Sequence, residues 1–233
     1  MDDITTNVDI NTRSRDQHAT DHNRLHRHLQ QTVYSADYPS LQAAVDDAAA
    51  KGRPLVIASG FHTLPTSDPL LFNDVYRLDI FAHGATIEPG VDMAAVVEMR
   101  DTVRCQWHGG RVNVPTGRVV DNAFYVYTDT LQSTRNLIEG LTIEGNYACG
   151  LRIGKQGVGI QCDHQVIDKV ECIGRGLTGQ VWVHVGDGVN GNCLNHAFTH
   201  LMCSNHETHV VVDKTNAYFT NVFLDTADLD FFL

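Results

Sequence analysis

From about residue 70 onward, short apolar runs alternate with Gly, Asn and Asp, a pattern that predicts short β-strands joined by turns. Four six-residue segments share apolar residues at their first, fourth and sixth positions: Ile138–Ile143, Ile167–Cys172, Phe198–Cys203 and Phe219–Leu224. Their starts are 29, 31 and 21 residues apart, and a weaker member, Trp107–Val112, begins another 31 residues upstream. We call these segments the hexads. Self-similarity at this spacing indicates a solenoid, whose units bury their apolar faces against each other.

The unequal spacing of the hexads narrows the kind of solenoid. Leucine-rich repeats need a fixed ladder of Leu and Asn, and helical repeats need two amphipathic helices, and the sequence contains neither pattern. A parallel β-helix needs only short strands that stack from coil to coil, with turns of variable length between them. The pattern therefore predicts a mainly β fold of the parallel β-helix type, with roughly six coils from residue 72 to 233.

A different pattern precedes the hexads. Residues 39–50 read as an amphipathic helix, with Asp37 or Tyr38 near its cap and Pro39 in its first turn. Gly52 ends it, and its predicted apolar face consists of Leu41, Ala44, Val45 and Ala48. A strand is expected over residues 55–58, and another is expected to begin at Phe61.

Residues 1–33 are polar and form a predicted segment separate from the domain at 34–233. His18, His22, Leu25 and Leu29 lie at helical spacing, which predicts a short helix. Two leucines bury too little apolar surface to stabilise such a helix alone, so we expect it to pack against another chain.

Charge and hydropathy exclude some functions. The chain has 17 Lys+Arg and 28 Asp+Glu, a net charge of −11, whereas a general nucleic-acid binder needs a basic face. No window approaches the ~18 consecutive apolar residues of a membrane span, and the start of the chain lacks the apolar middle of a secretory signal. We therefore expect neither nucleic-acid binding nor membrane insertion.

The start of the domain resembles a known family. The segments ADYPSLQAAVDDA (36–48) and ASGFHTL (58–64), followed by HGATI (83–87), resemble the opening of pectate-lyase-like right-handed β-helix proteins, especially phage tail spikes. The pattern from His18 to His26 is similar to the start of minor tail and appendage proteins of actinobacterial phages. The family resemblance implies a right-handed parallel β-helix that assembles as a homotrimer.

The same resemblance implies an external appendage of a virion, such as a tail spike, tail fibre or minor tail protein, with a structural or host-recognition function. Residues 1–33 would then attach the chain to other virion proteins, with His18, His22, Leu25 and Leu29 as the candidate attachment residues. The partners expected are two further copies of the chain, the virion proteins and a bacterial surface glycan.

Two alternatives remain open: a polysaccharide-degrading lyase or hydrolase on the same scaffold, and a head fibre or decoration protein. Hydrolysis needs two carboxyl groups close together. Glu139 and Asp168 share a hexad position and are expected to lie one coil apart. The other acidic candidates are Glu144, Asp163 and Glu171. Acidic residues at outward strand positions are most often simply solvated, so no catalytic residues are assigned.

Tyr125 and Tyr127 are the predicted binding residues. They alternate with Phe124 and Val126, so the two tyrosines share one face of a strand, where they would contact a glycan or another chain.

The six cysteines have no zinc-knuckle spacing and are expected to be small apolar core residues. His18, His22 and His26 share one helix face but have no Cys or carboxylate partner at ligand spacing, so neither a metal site nor a cofactor is assigned. His206 and His209 are expected at the surface or where a loop joins a strand. The apolar end Leu229–Leu233 is expected to pack against another subunit.

Overall fold

The computed structural model describes residues 31–155, 161–186, 193–213, 215–225 and 229–232. This part of the chain is mainly β and forms a parallel β-solenoid of about five turns, close to the predicted number. One helix, α1 (Leu41–Lys51), follows a 3-10 turn (Ser35–Asp37). The strands, in chain order, are β1 (Val33–Tyr34), β2 (Leu55–Val56), β3 (Gly60–Leu64), β4 (Leu70–Asn73), β5 (Asp79–Phe81), β6 (Ala85–Pro89), β7 (Met93–Arg100), β8 (Gln106–His108), β9 (Arg111–Val114), β10 (Val120–Thr128), β11 (Gln132–Thr134), β12 (Leu137–Glu139), β13 (Thr142–Gly145), β14 (Tyr147–Lys155), β15 (Gln161–Asp163), β16 (Val166–Asp168), β17 (Glu171–Ile173), β18 (Val181–Gly186), β19 (Cys193–Leu194), β20 (His196–Ser204), β21 (Thr208–Asp213), β22 (Ala217–Asp225) and β23 (Leu229–Phe232).

Corresponding strands of successive coils pair in parallel and form three long stacks and one short one. The first stack runs β1-β2-β5-β8-β12-β16-β20, the second β3-β6-β9-β13-β17-β20, and the third β4-β7-β10-β14-β18-β21-β23. Strand β20 belongs to the first two stacks because its first half pairs with β16 and its second half with β17. The short fourth stack is β11-β15-β19.

The hexads lie in register from coil to coil, as predicted. Their first residues pair in the order Trp107, Ile138, Ile167, Phe198, Phe219, and their sixth residues in the order Val112, Ile143, Cys172, Cys203, Leu224. The third residue of each hexad has a positive φ and turns the chain from the first stack into the second: Gly109, Gly140, Lys169, His200 and Asn221. This corner explains why apolar residues occupy positions one, four and six instead of simply alternating.

Helix α1 covers the start of the solenoid. Ser40 is its N-cap and accepts a hydrogen bond from the Ala43 N–H (3.1 Å), so Asp37 and Tyr38, predicted near the cap, lie three and two residues before it. The prediction that Pro39 lies in the first turn was wrong, because the helix begins only at Leu41, after the Ser40 cap. Gly52 ends the helix in the left-handed conformation (φ 59°), as predicted. The buried face contains Ala44, Val45 and Ala48.

The side chain of Gln42 connects α1 to the exposed edge of β4. Its Oε1 accepts from the Leu71 N–H and its Nε2 donates to the Leu71 carbonyl, both at 2.8 Å. Among the described strands, β4 pairs on one side only, with β7. The helix thus satisfies backbone groups that would otherwise invite pairing with another chain. No described helix is long and apolar enough to cross a membrane.

A column of buried polar side chains runs along the corner that leads into the first stack. Asn136, Gln165 and His196 occupy the same position in successive coils and are at most 1% exposed. Asn136 Oδ1 accepts from the Cys105 N–H (2.9 Å), Gln165 Oε1 from the Asn136 N–H (3.2 Å), and His196 Nδ1 from the Gln165 N–H (3.4 Å). Each side chain therefore satisfies a backbone donor that the corner leaves unpaired.

All six cysteines are buried and none forms a disulfide, which confirms their prediction as core residues. Burial raises the pKa of the Cys105 thiol to about 11, so this residue stays protonated at neutral pH.

Candidate functional site

Four basic side chains lie in line along one corner of the solenoid, one in each of four successive coils. Arg77, Arg104, Arg135 and His164 are exposed, and we call them the basic edge. Each residue donates its backbone N–H to a carbonyl of the next coil, for example Arg104 to Thr134 (3.0 Å). Since paired strands lie about 4.8 Å apart, the basic edge offers a guanidinium group at each of three successive steps along the solenoid axis.

The backbone at the basic edge is left-handed, with φ of 57°, 57°, 58° and 51° in chain order. This conformation costs ordinary L-residues roughly 1–2 kcal/mol, and Gly and Asn occupy it at lower cost. Asn195 holds the same position in the next coil (φ 60°). Three successive arginines therefore occupy a position at which the backbone favours a smaller residue, and such outliers concentrate at functional sites.

The three arginines of the basic edge differ from its histidine in their pairing with carboxylates. None of the three arginines forms an ion pair with a carboxylate in the part of the chain that the structure describes. Asp163 lies nearby, but it is 5% exposed and pairs with His164 Nδ1 at 3.0 Å. In a chain whose net charge is −11, this corner is a local exception.

A shallow cleft of about 320 Å³ lies beside the basic edge. Its lining residues are Tyr76, Val103, Arg104, Gln132, Thr134, Arg135, Gln161, Asp163 and His164. The Arg77 guanidinium lies 4.9 Å from the centre of the Tyr76 ring, and Tyr76 is 56% exposed. Guanidinium groups bind carboxylates and sulfates through paired hydrogen bonds, and amides and hydroxyls suit sugar hydroxyls. The surface can therefore bind an extended anionic polymer.

The predicted binding residues Tyr125 and Tyr127 lie elsewhere, on β10, and face away from the core that contains Phe124 and Val126. Their rings stack at 4.4 Å, and they are only 4% and 5% exposed. They do not form an open platform, and their contact with a glycan or another chain stays a prediction.

Polar groups surround these two tyrosines. The Tyr127 hydroxyl donates to Glu98 Oε2 (3.0 Å), and the Arg152 guanidinium lies 5.5 Å from the Tyr125 ring centre. Burial, with Glu98 close by, raises the pKa of Tyr127. Burial also raises the pKa of Glu98, although the hydrogen bond from Tyr127 opposes this effect. Tyr127 and Glu98 therefore satisfy each other's polar groups.

Glu139 and Asp168 are adjacent in register, as predicted. Each carboxylate accepts from a histidine: Glu139 Oε1 lies 2.8 Å from His108 Nδ1, and Asp168 Oδ1 lies 2.9 Å from His200 Nδ1. Hydrogen bonds from Thr199 and then His200 lower the pKa of Asp168, which therefore remains ionised at neutral pH.

The other acidic candidates are likewise engaged or solitary. Glu144 pairs with Arg111 at 2.8 Å, Asp163 pairs with His164, and Glu171 pairs in register with Met202. The structure does not bring these three residues together with Glu139 and Asp168 as one group. The arrangement resembles a solvated polar surface more than a pair of carboxyl groups with separate acid and base roles.

His206 and His209 lie where a turn joins strand β21, which was one of the two predicted placements, but they are not at the surface. They are 2% and 0% exposed, beside the buried Cys203, because their side chains point into the end of the solenoid where β20 turns into β21. Burial, and then the neighbouring His209, lowers the pKa of His206 to about 4. The spacing Cys203-x2-His206-x2-His209 was visible in the sequence and would have indicated the cluster.

Some predictions concern residues that the structure does not describe. Among them are the candidate attachment residues His18, His22, Leu25 and Leu29, and also His26. At the other end, the backbone of β23 pairs with β21, but the side chains of Leu229–Phe232 are not described.

Comparison with known proteins identifies no relative. No family model, no curated protein and no solved structure matches this chain. The fold and the basic edge are thus the grounds for inferring its function.

Proposed function

We propose that this chain is a recognition appendage of a phage particle and that it binds an acidic glycan of the bacterial surface along the basic edge. In this proposal the solenoid is right-handed, three copies assemble as a homotrimer, and residues 1–33 attach the trimer to other virion proteins. The observation that carries glycan binding is the register of three arginines, none of which forms an ion pair with a carboxylate among the described residues. The virion location has its support in the sequence resemblance at residues 18–26 and 36–64.

An acidic polysaccharide suits the basic edge because both are linear and repeat their charges. Arg77, Arg104 and Arg135 offer planar guanidinium groups, which bind carboxylates more specifically than lysine does. The cleft adds Gln132 and Gln161, which pair in register and supply amide groups for sugar hydroxyls. A nucleic acid is not the proposed ligand, because the arginines form a single line and a general nucleic-acid binder needs a broader basic face.

Exposed apolar side chains support self-association. Met202, Tyr218 and Phe223 are 52%, 61% and 61% exposed, and Met202 pairs in register with Phe223. Adjacent exposed apolar side chains such as Met202 and Phe223 are typical of interfaces. In the proposed trimer this surface packs against a second copy of the chain.

The glycan proposal is tested by replacing the charge without disturbing the backbone. Asn accepts the left-handed conformation more readily than Arg, so the double variant Arg104→Asn, Arg135→Asn should fold. The probes are immobilised polygalacturonate, which carries carboxylates, and neutral dextran. We expect the wild-type protein to bind polygalacturonate but not dextran, and the double variant to bind at least about 10-fold more weakly because two charge-assisted contacts are lost.

Lys169→Asn is the matched control. Lys169 is also basic, exposed and left-handed (φ 53°), but it lies at the other corner and pairs with Asp168 at 3.5 Å. Its loss should leave polygalacturonate binding unchanged. Equal losses in the two variants, or no binding by the wild-type protein, would overturn the assignment of the basic edge. Release of new reducing ends from the polymer would instead favour the polysaccharide-degrading alternative.

Assembly and attachment are tested separately. Light scattering should give a mass of about 77 kDa, that of three chains of 25.8 kDa, and Met202→Ser with Phe223→Ser should lower it. A monomeric wild-type protein would refute the trimer. Deletion of residues 1–30, which spares β1, should abolish incorporation into particles while the remaining domain keeps its circular dichroism spectrum, and continued incorporation would refute the attachment role.

A further inference from the structure

The last described coils contain a buried cluster of three metal-ligating side chains. Cys203 lies on β20, His209 lies on β21, and His206 lies in the turn between the two strands. All three side chains are buried inside the solenoid. One ligand atom from each residue, a sulfur or a ring nitrogen, lies within 4.8 Å of both others. Cys203 Sγ is 3.3 Å from His206 Nδ1, and the rings of His206 and His209 lie edge to face with centres 6.2 Å apart.

We propose that Cys203, His206 and His209 bind a zinc ion that stabilises this end of the solenoid. Thiolate and imidazole are the ligands that zinc prefers in proteins, with distances of about 2.3 Å to sulfur and 2.0–2.1 Å to nitrogen. Tetrahedral geometry at these lengths separates a sulfur from a nitrogen ligand by about 3.6 Å. The 3.3 Å between Cys203 Sγ and His206 Nδ1 is therefore close to that of a bound ion.

A second contact orients the His206 ring for this role. Its Nε2 lies 2.9 Å from the buried hydroxyl of Tyr147. If Nδ1 binds zinc, the ring proton is on Nε2. The Nε2–H group then donates a hydrogen bond to the Tyr147 hydroxyl oxygen. Ligating histidines are commonly held in this way by a hydrogen bond from the other ring nitrogen.

Cys172 is the proposed fourth ligand, although it lies outside the group of three whose ligand atoms are within 4.8 Å of one another. It is buried and pairs in register with Cys203 one coil away. Zinc binding to both cysteines would release one proton from each thiol to solvent, and the two thiolates would balance the charge of the ion. This balance matters because an uncompensated charge inside a protein is strongly unfavourable.

A neighbouring pair with the same spacing provides a contrast. Cys193 Sγ lies 3.2 Å from His196 Nε2, also inside the solenoid. His196 Nδ1 accepts from the Gln165 N–H at 3.4 Å, so the ring proton is on Nε2 and points at the sulfur. This imidazole is occupied by the backbone, and the described residues offer no third ligand that meets the same distance criterion.

The test is the metal content of the full chain, purified without chelator and measured by mass spectrometry. We expect about one zinc ion per chain, loss of that ion in Cys203→Ser, and its retention in the matched control Cys193→Ser. Replacement of zinc by Co²⁺ should produce the intense visible and near-ultraviolet bands of a tetrahedral thiolate site in the wild-type protein. Cys172→Ser should weaken the sulfur-to-cobalt band if Cys172 is the fourth ligand.

The wild-type measurements keep the proposal falsifiable even if Cys203→Ser fails to fold. A chelator should lower the thermal unfolding temperature of the wild-type protein, and added zinc should restore it. Absence of zinc after growth in zinc-supplemented medium, together with no cobalt bands, would overturn the site and leave Tyr147, His206 and Cys203 as a hydrogen-bonded chain. Loss of zinc in Cys193→Ser together with its retention in Cys203→Ser would overturn the site and assign the ion to the other pair.

Discussion

Asp101 Oδ1 accepts a hydrogen bond of 3.0 Å from the Thr128 hydroxyl, which belongs to the next coil, and both side chains are buried. The same carboxylate accepts from the backbone N–H groups of Asp129 (2.8 Å), Thr130 (3.1 Å) and Leu131 (3.2 Å). One carboxylate thus closes the turn between β10 and β11, which leads to the basic edge.

We expect Asp101→Asn to lower the free energy of unfolding by about 2–4 kcal/mol, because an amide offers one acceptor oxygen where several donors converge. Urea denaturation measures this loss. Asp92→Asn is the control, since Asp92 accepts one exposed hydrogen bond, from the Val119 N–H at 2.8 Å. Its expected loss is below about 1 kcal/mol, and equal losses would contradict the assigned role of Asp101.

The stabilisation by Asp101 should depend on pH. Burial alone raises its pKa, but the hydrogen bonds from the 128–131 turn outweigh burial and bring the pKa below its ordinary value. The folded state then binds the proton more weakly than the unfolded state. The stabilisation is full above the unfolded-state pKa of about 4 and is lost as the pH falls through the folded-state pKa. The stability difference between wild type and Asp101→Asn should therefore shrink from pH 7 to pH 3, whereas a constant difference would refute this explanation.

Arg104→Asn should raise the free energy of unfolding by up to about 1 kcal/mol, because Asn tolerates the left-handed backbone better. Arg111→Asn is the control, since Arg111 lies in the extended strand β9 and loses its ion pair with Glu144. This variant should not become more stable. A destabilised Arg104→Asn protein would mean that the arginine contributes to folding, and the backbone conformation would no longer indicate a functional site.

Asn136→Ala should cost about 2–4 kcal/mol, because it leaves the buried Cys105 N–H without an acceptor and removes one of the two donors to the Thr102 carbonyl, which keeps the Thr134 N–H. Asn113→Ala provides the comparison, since its amide bonds only to the partly buried Glu88 side chain and should cost about 1 kcal/mol or less. The two unfolding midpoints measured in urea should differ clearly. Similar midpoints would show that water replaces Asn136 in the column.

Gly145 and Gly117 both have positive φ, at 117° and 89°, but differ in their surroundings. A Cβ at Gly145 would overlap the Val114 carbonyl, whereas one at Gly117 would meet no atom within 4 Å in the described structure. We expect Gly145→Ala to cost more than about 3 kcal/mol and Gly117→Ala about 1–2 kcal/mol, both measured by thermal unfolding. Equal losses of stability would mean that the left-handed backbone causes the whole effect and that the contact of the added Cβ with the Val114 carbonyl contributes nothing.

The solenoid was predictable because its core repeats in the sequence. Ile138, Ile167 and Phe198 occupy equivalent positions of the hexads, and the structure pairs them directly. Local rules were less decisive at the start of α1, where Tyr38, Pro39 and Ser40 all lie within reach of the helix end. The structure shows that the hydroxyl of Ser40 caps the helix, a choice among these three residues that the local sequence does not determine.

The basic edge was missed although the sequence contains its signal. Arg104, Arg135 and His164 each lie three residues before the start of a hexad, at 107, 138 and 167. Charged residues are common in exposed turns, so a single one does not indicate a site. Their alignment becomes visible only once the register of the coils is known. The cluster of Cys203 and His206 was missed for a related reason. Cys203 fits the apolar hexad pattern and was therefore interpreted as a core residue and not as a metal ligand.

Because the hexads stack in register, each coil packs mainly against the coils on either side. A whole coil of about 30 residues could thus be duplicated or removed without redesigning the core, as in other repeat proteins. Each such event would lengthen or shorten the molecule by about 4.8 Å and could add or remove one cationic side chain. The length of polymer engaged, and the affinity that comes with it, would then evolve by whole-coil duplication or deletion.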